Sequence, residues 1–281
     1  MLVTFKEILN DALEHKYAVG AFNCLSLENV MGAIEAAEEL SSPIILQLAE
    51  VQFPYAPLAC MAPIFLEHAH RAKVPVCVHL DHGQSFETCA EAIRLGFNSV
   101  MIDSSSLPFR QNVELVKDVV RMAHAMHVDV EAELGMVGTI GVTEESHDDI
   151  YTGVEESAQF IAETGVDALA IALGNMHGNY VATPKLNIVR LQEINARNHF
   201  PLVLHGGTGT STDDFKSCIH NGICKINVAT AIQLRITEKV REYVASDKAN
   251  YIDMKYVIAD ASKEVVKEHL TLFESAGHAT T

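Results

Sequence analysis

The chain has 281 residues, which suits one large α/β domain or two small ones, and 48% of them are apolar, enough to bury a sizeable core. Its formal net charge of −17 repels nucleic acid and anionic membrane surfaces, which excludes a polyanionic partner. An anionic small molecule stays open, because local charge and backbone dipoles govern binding at a site.

The opening segment places Phe5, Ile8, Leu9, Ala12 and Leu13 at helical spacing, which predicts a helix rather than a signal-peptide core. From there to the end, short apolar runs alternate with amphipathic stretches. They predict strands at 18–24, 43–49, 75–81, 99–103, 129–134, 168–174, 201–205 and 224–228. Ser26 is placed to cap a helix over 27–40, with Val30, Ala33, Ile34 and Ala37 on one face. Ser85 caps a helix running to Leu95, with Gly96 ending it. A helix opening at or near Asn112 carries Val113, Val116, Val120 and Ala123. The segment 135–153 is long, polar and glycine-containing, and reads as a mobile loop. No low-complexity linker divides the sequence, so one domain spans 1–281.

Nearly continuous apolar strands, each followed by helix-like sequence, imply a parallel sheet covered on both faces. Eight such units favour closure into a (β/α)8 TIM barrel over a doubly wound open sheet. The six cysteines form no C-x-x-C pair and read as buried thiols of a reduced compartment. No apolar run approaches the ~18 residues of a membrane span, so a cytoplasmic setting is expected.

In such a barrel the active site lies at the C-terminal ends of the strands. The unusual polar residues collect there. His82, His177 and His205 each follow an apolar strand, whereas His68, His70, His124, His127, His199 and His220 fall in helices or at their ends. Three imidazoles at one mouth suit a catalytic zinc with a position left open, and imidazole favours zinc, copper or iron over magnesium. His79 and Asp81 are two apart on their strand and face the same side. Asp81 is the candidate proton donor and acceptor, and His79 a structural residue or one that orients an imidazole. The run Gly206-Gly207-Thr208-Gly209 lets main-chain N–H groups approach an anion, with hydroxyls from Thr208 and Thr230. It lies after strands seven and eight, where many barrels hold phosphate.

These motifs together resemble the class II fructose-bisphosphate/tagatose-bisphosphate aldolase family. The resemblance runs through AFN at 21–23, VHLDHG at 78–83, VMIDSS at 100–105, VEAELG at 130–135, GVDALAIALG leading to His177-Gly178, LVLHGG at 202–207 and INVAT at 226–230. It implies that His82, His177 and His205 bind catalytic Zn2+ and that Asp81 works at the aldol hydroxyl. Asp103 and Glu133 then hold a second metal or orient the zinc histidines. Asn23, Gly178, Gly206, Gly207, Thr208, Asn227, Ala229 and Thr230 map to the segments that bind the substrate and its phosphate, with a monovalent cation (Na+ or K+) nearby. Glu144 and Glu145 are candidates for a loop base. A homodimer or homotetramer is also implied.

Two segments depart from the family pattern. Gln47-Leu48-Ala49-Glu50-Val51-Gln52-Phe53 lacks the serine-rich sequence expected near a far phosphate, and His278 stands where relatives show a basic residue. The departure predicts a substrate with one phosphate, a ketose 1-phosphate split to dihydroxyacetone phosphate and an aldehyde. A fructose- or tagatose-1,6-bisphosphate aldolase is the alternative, and a non-catalytic sugar-phosphate-binding subunit a further one. A zinc hydrolase on the same barrel would need an H-x-H on strand one, where Ala21-Phe22-Asn23 stands.

Overall fold

In the computed structural model the described residues are 1–135, 138–139, 151–177, 186–207 and 209–279, with the backbone alone at 138–139 and 176–177. The strands are β1 (Val19–Asn23), β2 (Ile44–Ala49), β3 (Val76–Gly83), β4 (Ser99–Ile102), β5 (Asp129–Leu134), β6 (Gly138–Thr139), β7 (Ala168–Ile171), β8 (Met176–His177), β9 (Leu202–Leu204) and β10 (Ile223–Val228). The helices are α1 (Phe5–His15), α2 (Leu27–Leu40), α3 (Leu58–Arg71), α4 (Phe86–Arg94), α5 (Phe109–Ala125), α6 (Val154–Thr164), α7 (Ile188–Asn198), α8 (Thr212–His220), α9 (Thr230–Val244) and α10 (Tyr251–Leu272). Eight of the strands close in the order β1-β10-β9-β7-β5-β4-β3-β2, every pairing parallel. This is a (β/α)8 barrel, as the eight apolar runs predict. The two-residue β6 and β8 pair with each other outside it, Thr139 against His177.

Local chemistry sets the helix ends. Thr4 accepts from the Glu7 N–H while the Glu7 carboxylate accepts from the Thr4 N–H, a reciprocal cap on α1. Ser26 and Ser85 cap α2 and α4 as their sequences predict, and Gly96 follows α4 at φ 99°. The helix expected to open near Asn112 begins earlier, at Phe109 after Pro108. Asn112 is instead buried inside that helix. It accepts from Ser104 Oγ and donates to the Glu133 carbonyl, which ties α5 to the end of β5.

Two apolar cores result. The larger lies between the strands and the helices around them. The smaller fills the lower half of the barrel. There α1 plugs the N-terminal end with Phe5, Ile8, Leu9 and Ala12 against Val19, Ile45, Cys77, Ala168, Val203 and Cys224. Above that plug the inward residues turn polar, and this layer floors the C-terminal mouth. Among the described residues no helix is long and apolar enough to cross a membrane.

Candidate active site

Successive side chains on a strand point to opposite faces, yet Asp81 and His82 both serve the mouth. The end of β3 explains this. Its register against β4 shifts between Leu80 and Gly83, and His82 adopts φ 45°, a left-handed conformation costly for a residue with a Cβ. A side chain at Gly83 would sit 2.7 Å from the Met101 carbonyl, so glycine is required where the strand regains its partner. Backbone strain of this kind, held by surrounding structure, concentrates at functional sites.

Asp81 is 3% exposed and accepts two hydrogen bonds, from Asn23 Nδ2 at 2.8 Å and from Asn227 Nδ2 at 3.0 Å. Both amides are fixed in turn. Asn23 Oδ1 accepts from Gln47 Nε2 at 2.9 Å, and Asn227 Oδ1 from Lys225 Nζ at 2.7 Å. Burial alone would raise the carboxyl pKa; positive charge at His82, His205 and Lys225 and the Asn23 bond bring it below the ordinary value. Asp81 therefore stands ionised, with Asn23 and Asn227 both donating to it.

The His82 and His205 rings meet edge to face, centroids 4.6 Å apart. Each ring is oriented by a carboxylate through one nitrogen: His82 Nδ1 by Asp103 at 2.7 Å, His205 Nε2 by Glu131 at 2.8 Å. The other nitrogens are His82 Nε2, 3.8 Å from Asp81, and His205 Nδ1, 3.3 Å from Glu133. Burial opposes the imidazolium form, but Asp81, Asp103 and Glu133 carry His82 to a pKa of about 10, and Glu131 and Glu133 raise His205 likewise. His79 lies a layer lower, stacked on Phe5 at 5.0 Å and bonded to Ser99 Oγ at 2.8 Å. Burial and the nearby Lys225 lower its pKa to about 3, so it is neutral.

These groups fit a divalent cation. The ligand atoms of Asp81, His82 and His205 lie within 4.8 Å of one another, as do those of His82, Asp103 and Glu133. Atoms around one zinc lie at most about 4.2 Å apart, twice the ~2.1 Å bond length, so slight closure suffices. Glu133 Oε2 is buried, with His205 Nδ1 3.3 Å away. Among the described residues Asp81, Asp103, Glu131 and Glu133 meet two imidazoles and one lysine, Lys225; with the imidazoles neutral, as metal ligation requires, the carboxylates outnumber the remaining positive charge, which a cation would offset.

The cleft above is lined by Asn23, Ala49, Val51, Gln52, Asp81 and His82 on one side and by Gly206, Gly207, Asn227, Ala229 and Thr230 on the other. Gly206 turns at φ 67°, a conformation that glycine supplies without strain. Helix α9 starts at Thr230, and its cap residue Ala229 makes no side-chain bond to the helix. Its first N–H groups thus lie at the cleft without a side-chain cap, where a helix terminus attracts an anion.

The structure thus gathers Asn23, Asp81, His82, Asp103, Glu133, His205, Gly206, Gly207, Asn227, Ala229 and Thr230 at one mouth. The side chain of His177, and all of Gly178, Thr208, Glu144, Glu145 and most of 135–153, fall outside the described residues. Sequence reasoning placed Glu131 at a strand end and Gln52 on the far wall without giving either a role, and it gave Lys225 none. Glu131 shares a strand face with Glu133, and Lys225 is the only charged residue of its strand; both were visible signals. His278 requires a correction. It stacks on Tyr17 at 4.2 Å, beside the start of β1 and at the opposite end of the barrel from the mouth. It therefore lies away from the cleft of its own chain.

A parallel barrel with imidazoles and carboxylates at its C-terminal mouth defines a metal-dependent enzyme of the TIM-barrel class. The profile of the family described as fructose-bisphosphate aldolase class-II matches residues 3–278. The chain is 42% identical over 283 residues to the fructose-bisphosphate aldolase of Staphylococcus epidermidis, with 99% of both chains covered. It is 43% identical over 285 residues to that of Geobacillus stearothermophilus, again with 99% of both covered. The crystal structure of the YdjI aldolase from Escherichia coli K12 superposes with a TM-score of 0.91 at 35% identity, covering 100% of each chain. The chain belongs to the class II fructose-bisphosphate aldolase family and is a metal-dependent aldolase, a carbon–carbon lyase.

Proposed function

We propose that this chain cleaves fructose 1,6-bisphosphate reversibly to dihydroxyacetone phosphate and a phosphorylated aldehyde, with zinc held by His82, His177 and His205. The observation that carries the reading is Asp81, ionised and surrounded by donors, beside two carboxylate-oriented imidazoles and below a cradle of main-chain N–H groups. Bound zinc supplies Lewis acidity where negative charge develops on the donor's oxygens. Asp103 and Glu131 hold the His82 and His205 rings, and Glu133 lies against His205. Asp81 takes the proton from the aldol hydroxyl in cleavage and returns it in synthesis. Asn23 and Asn227 fix the direction of that transfer. Gly206, Gly207, Ala229 and Thr230 hold the donor's phosphate through backbone N–H groups, aided by the α9 terminus.

The bisphosphate is favoured by the names of the relatives. A second reading, a ketose 1-phosphate lacking the far phosphate, is favoured by the opposite cleft wall. There Ala49, Val51 and Gln52 stand, and the Glu50 carboxylate accepts from the Gln84 N–H at 2.7 Å. Among the described lining residues no lysine or arginine faces that end. Release of dihydroxyacetone phosphate from fructose 1,6-bisphosphate, tagatose 1,6-bisphosphate and ketose 1-phosphates, run side by side, tests both. Preference for a bisphosphate supports the first reading, preference for monophosphates the second, and release from none refutes both.

The same reading carries a cytoplasmic homodimer or homotetramer. Exposed Leu234, Val244, Tyr251, Ile252 and Tyr256 on α9 and α10 support assembly. Light scattering on the eluting protein tests it, and a monomer at every concentration would refute it.

A further inference from the structure

Lys225 is completely buried in the barrel interior. A bulge in β10 between Ile223 and Lys225 resets the strand's face, and Lys225 and Asn227, two apart, then share the inward side. A buried ammonium is costly unless it is paired and hydrogen-bonded. Its two partners here lead to different parts of the site. Nζ lies 2.8 Å from Glu131 Oε2, and Glu131 Oε1 lies 2.8 Å from His205 Nε2. Nζ also donates to Asn227 Oδ1 at 2.7 Å, and Asn227 Nδ2 donates to Asp81 at 3.0 Å. If the Asn227 amide flipped, its NH2 would face the ammonium and its oxygen would face the Asp81 carboxylate. The lysine therefore permits one amide orientation.

We propose that Lys225 is a positioning residue that acts on both halves of the site, setting the metal-binding ring of His205 through Glu131 and the acceptor-only role of Asp81 through Asn227. It touches neither substrate nor metal. A compact ammonium with three donors on a flexible stem suits this two-way contact better than a planar guanidinium would. A plain buried ion pair would account for the Glu131 contact alone. The second contact, aimed through Asn227 at the proton carrier, is what makes the lysine a link.

The kinetic half of this inference rests on the aldol reading above, and the metal half does not. The test is Lys225→Met, read by zinc competition against a chromophoric chelator and by steady-state cleavage at saturating zinc. The expected result is zinc retention weakened about 10- to 100-fold, with kcat lowered by a similar factor while KM moves less than about twofold. A folded variant that loses thermal stability but keeps parental zinc retention and kcat would overturn the proposal, leaving Lys225 merely structural. Weakened zinc retention with parental kcat would also overturn it, since the Asn227 arm would then carry nothing. If the methionine variant fails to fold, Lys225→Gln is read by the same two measurements, with the same outcomes deciding. If the parental chain cleaves none of the sugar phosphates, the aldol reading has failed, and the zinc titration alone judges the Glu131 arm.

Discussion

The substitution Asp81→Asn changes one atom and should disturb the whole floor of the site. Two amide nitrogens point at this carboxylate, Asn23 Nδ2 at 2.8 Å and Asn227 Nδ2 at 3.0 Å. An asparagine at 81 can accept from one of them and must present its own NH2 to the other. Neither neighbour can flip freely. Turning Asn23 gives up the Gln47 bond, and turning Asn227 puts its NH2 against the Lys225 ammonium. One buried donor is thus left without an acceptor, at a cost of about 1–3 kcal/mol. For a chain of this size that corresponds to a fall of roughly 2–10 °C in the unfolding midpoint. The catalytic loss is larger. Without a proton carrier at the aldol hydroxyl, kcat should fall about 10²- to 10⁴-fold, or about 3–5 kcal/mol of barrier. Zinc content should stay near that of the parent, because the imidazoles and their carboxylates are untouched. The assay is coupled detection of dihydroxyacetone phosphate at saturating substrate, with metal analysis and thermal unfolding on the same preparation. A kcat within about tenfold of the parent would remove Asp81 from the proton transfer.

Other predictions are briefer. His205→Ala should lose both metal and activity, since the ring is wholly buried between Glu131 and Glu133; elemental analysis showing parental zinc would refute its assignment as a ligand. Gly206→Ala should raise KM more than it lowers kcat, because a Cβ at φ 67° costs about 1–2 kcal/mol and turns the N–H groups of the phosphate cradle. Unchanged inhibition by inorganic phosphate in that variant would argue against the cradle. Glu39 bridges Lys263 and Lys267 between α2 and α10, and hydrogen bonds from those lysines lower its pKa to about 2. The sign follows from a depressed carboxylate: its contribution is complete above the ordinary pKa and fades as the pH falls toward 2. Glu39→Gln should therefore cost a small amount at pH 7, less at pH 3 and less in high salt; a midpoint difference that grows on acidification would contradict this.

The barrel was legible because parallel strands buried on both faces leave apolar runs that stand out from amphipathic helices. The runs at 43–49 and 129–134 match β2 and β5 to within one residue. Helix starts were legible where a serine caps them, as at Ser26 and Ser85, and not at Pro108, where the backbone angle of proline rather than a side-chain bond opens α5. Most of the site was legible because its residues end strands, and strand ends converge in a barrel. The remainder depended on register. Lys225 faces inward because β10 carries a bulge, and bulges have no simple sequence signature. Asp81 and His82 reach the same mouth for the same reason. The reading of His278 failed because a residue near the C-terminus can return to either end of a barrel; this one returns to Tyr17, against the α1 plug.

Metal dependence of aldol cleavage is the central claim, and one experiment tests it most directly. Dihydroxyacetone phosphate release from fructose 1,6-bisphosphate would be measured on the purified chain with its zinc content, again after exhaustive chelation, and again after zinc is restored. The account predicts close to one zinc per chain, loss of release on chelation and recovery on adding zinc back. Release that survives complete removal of the metal, or a zinc-loaded chain that cleaves neither the bisphosphates nor any ketose 1-phosphate, would contradict it.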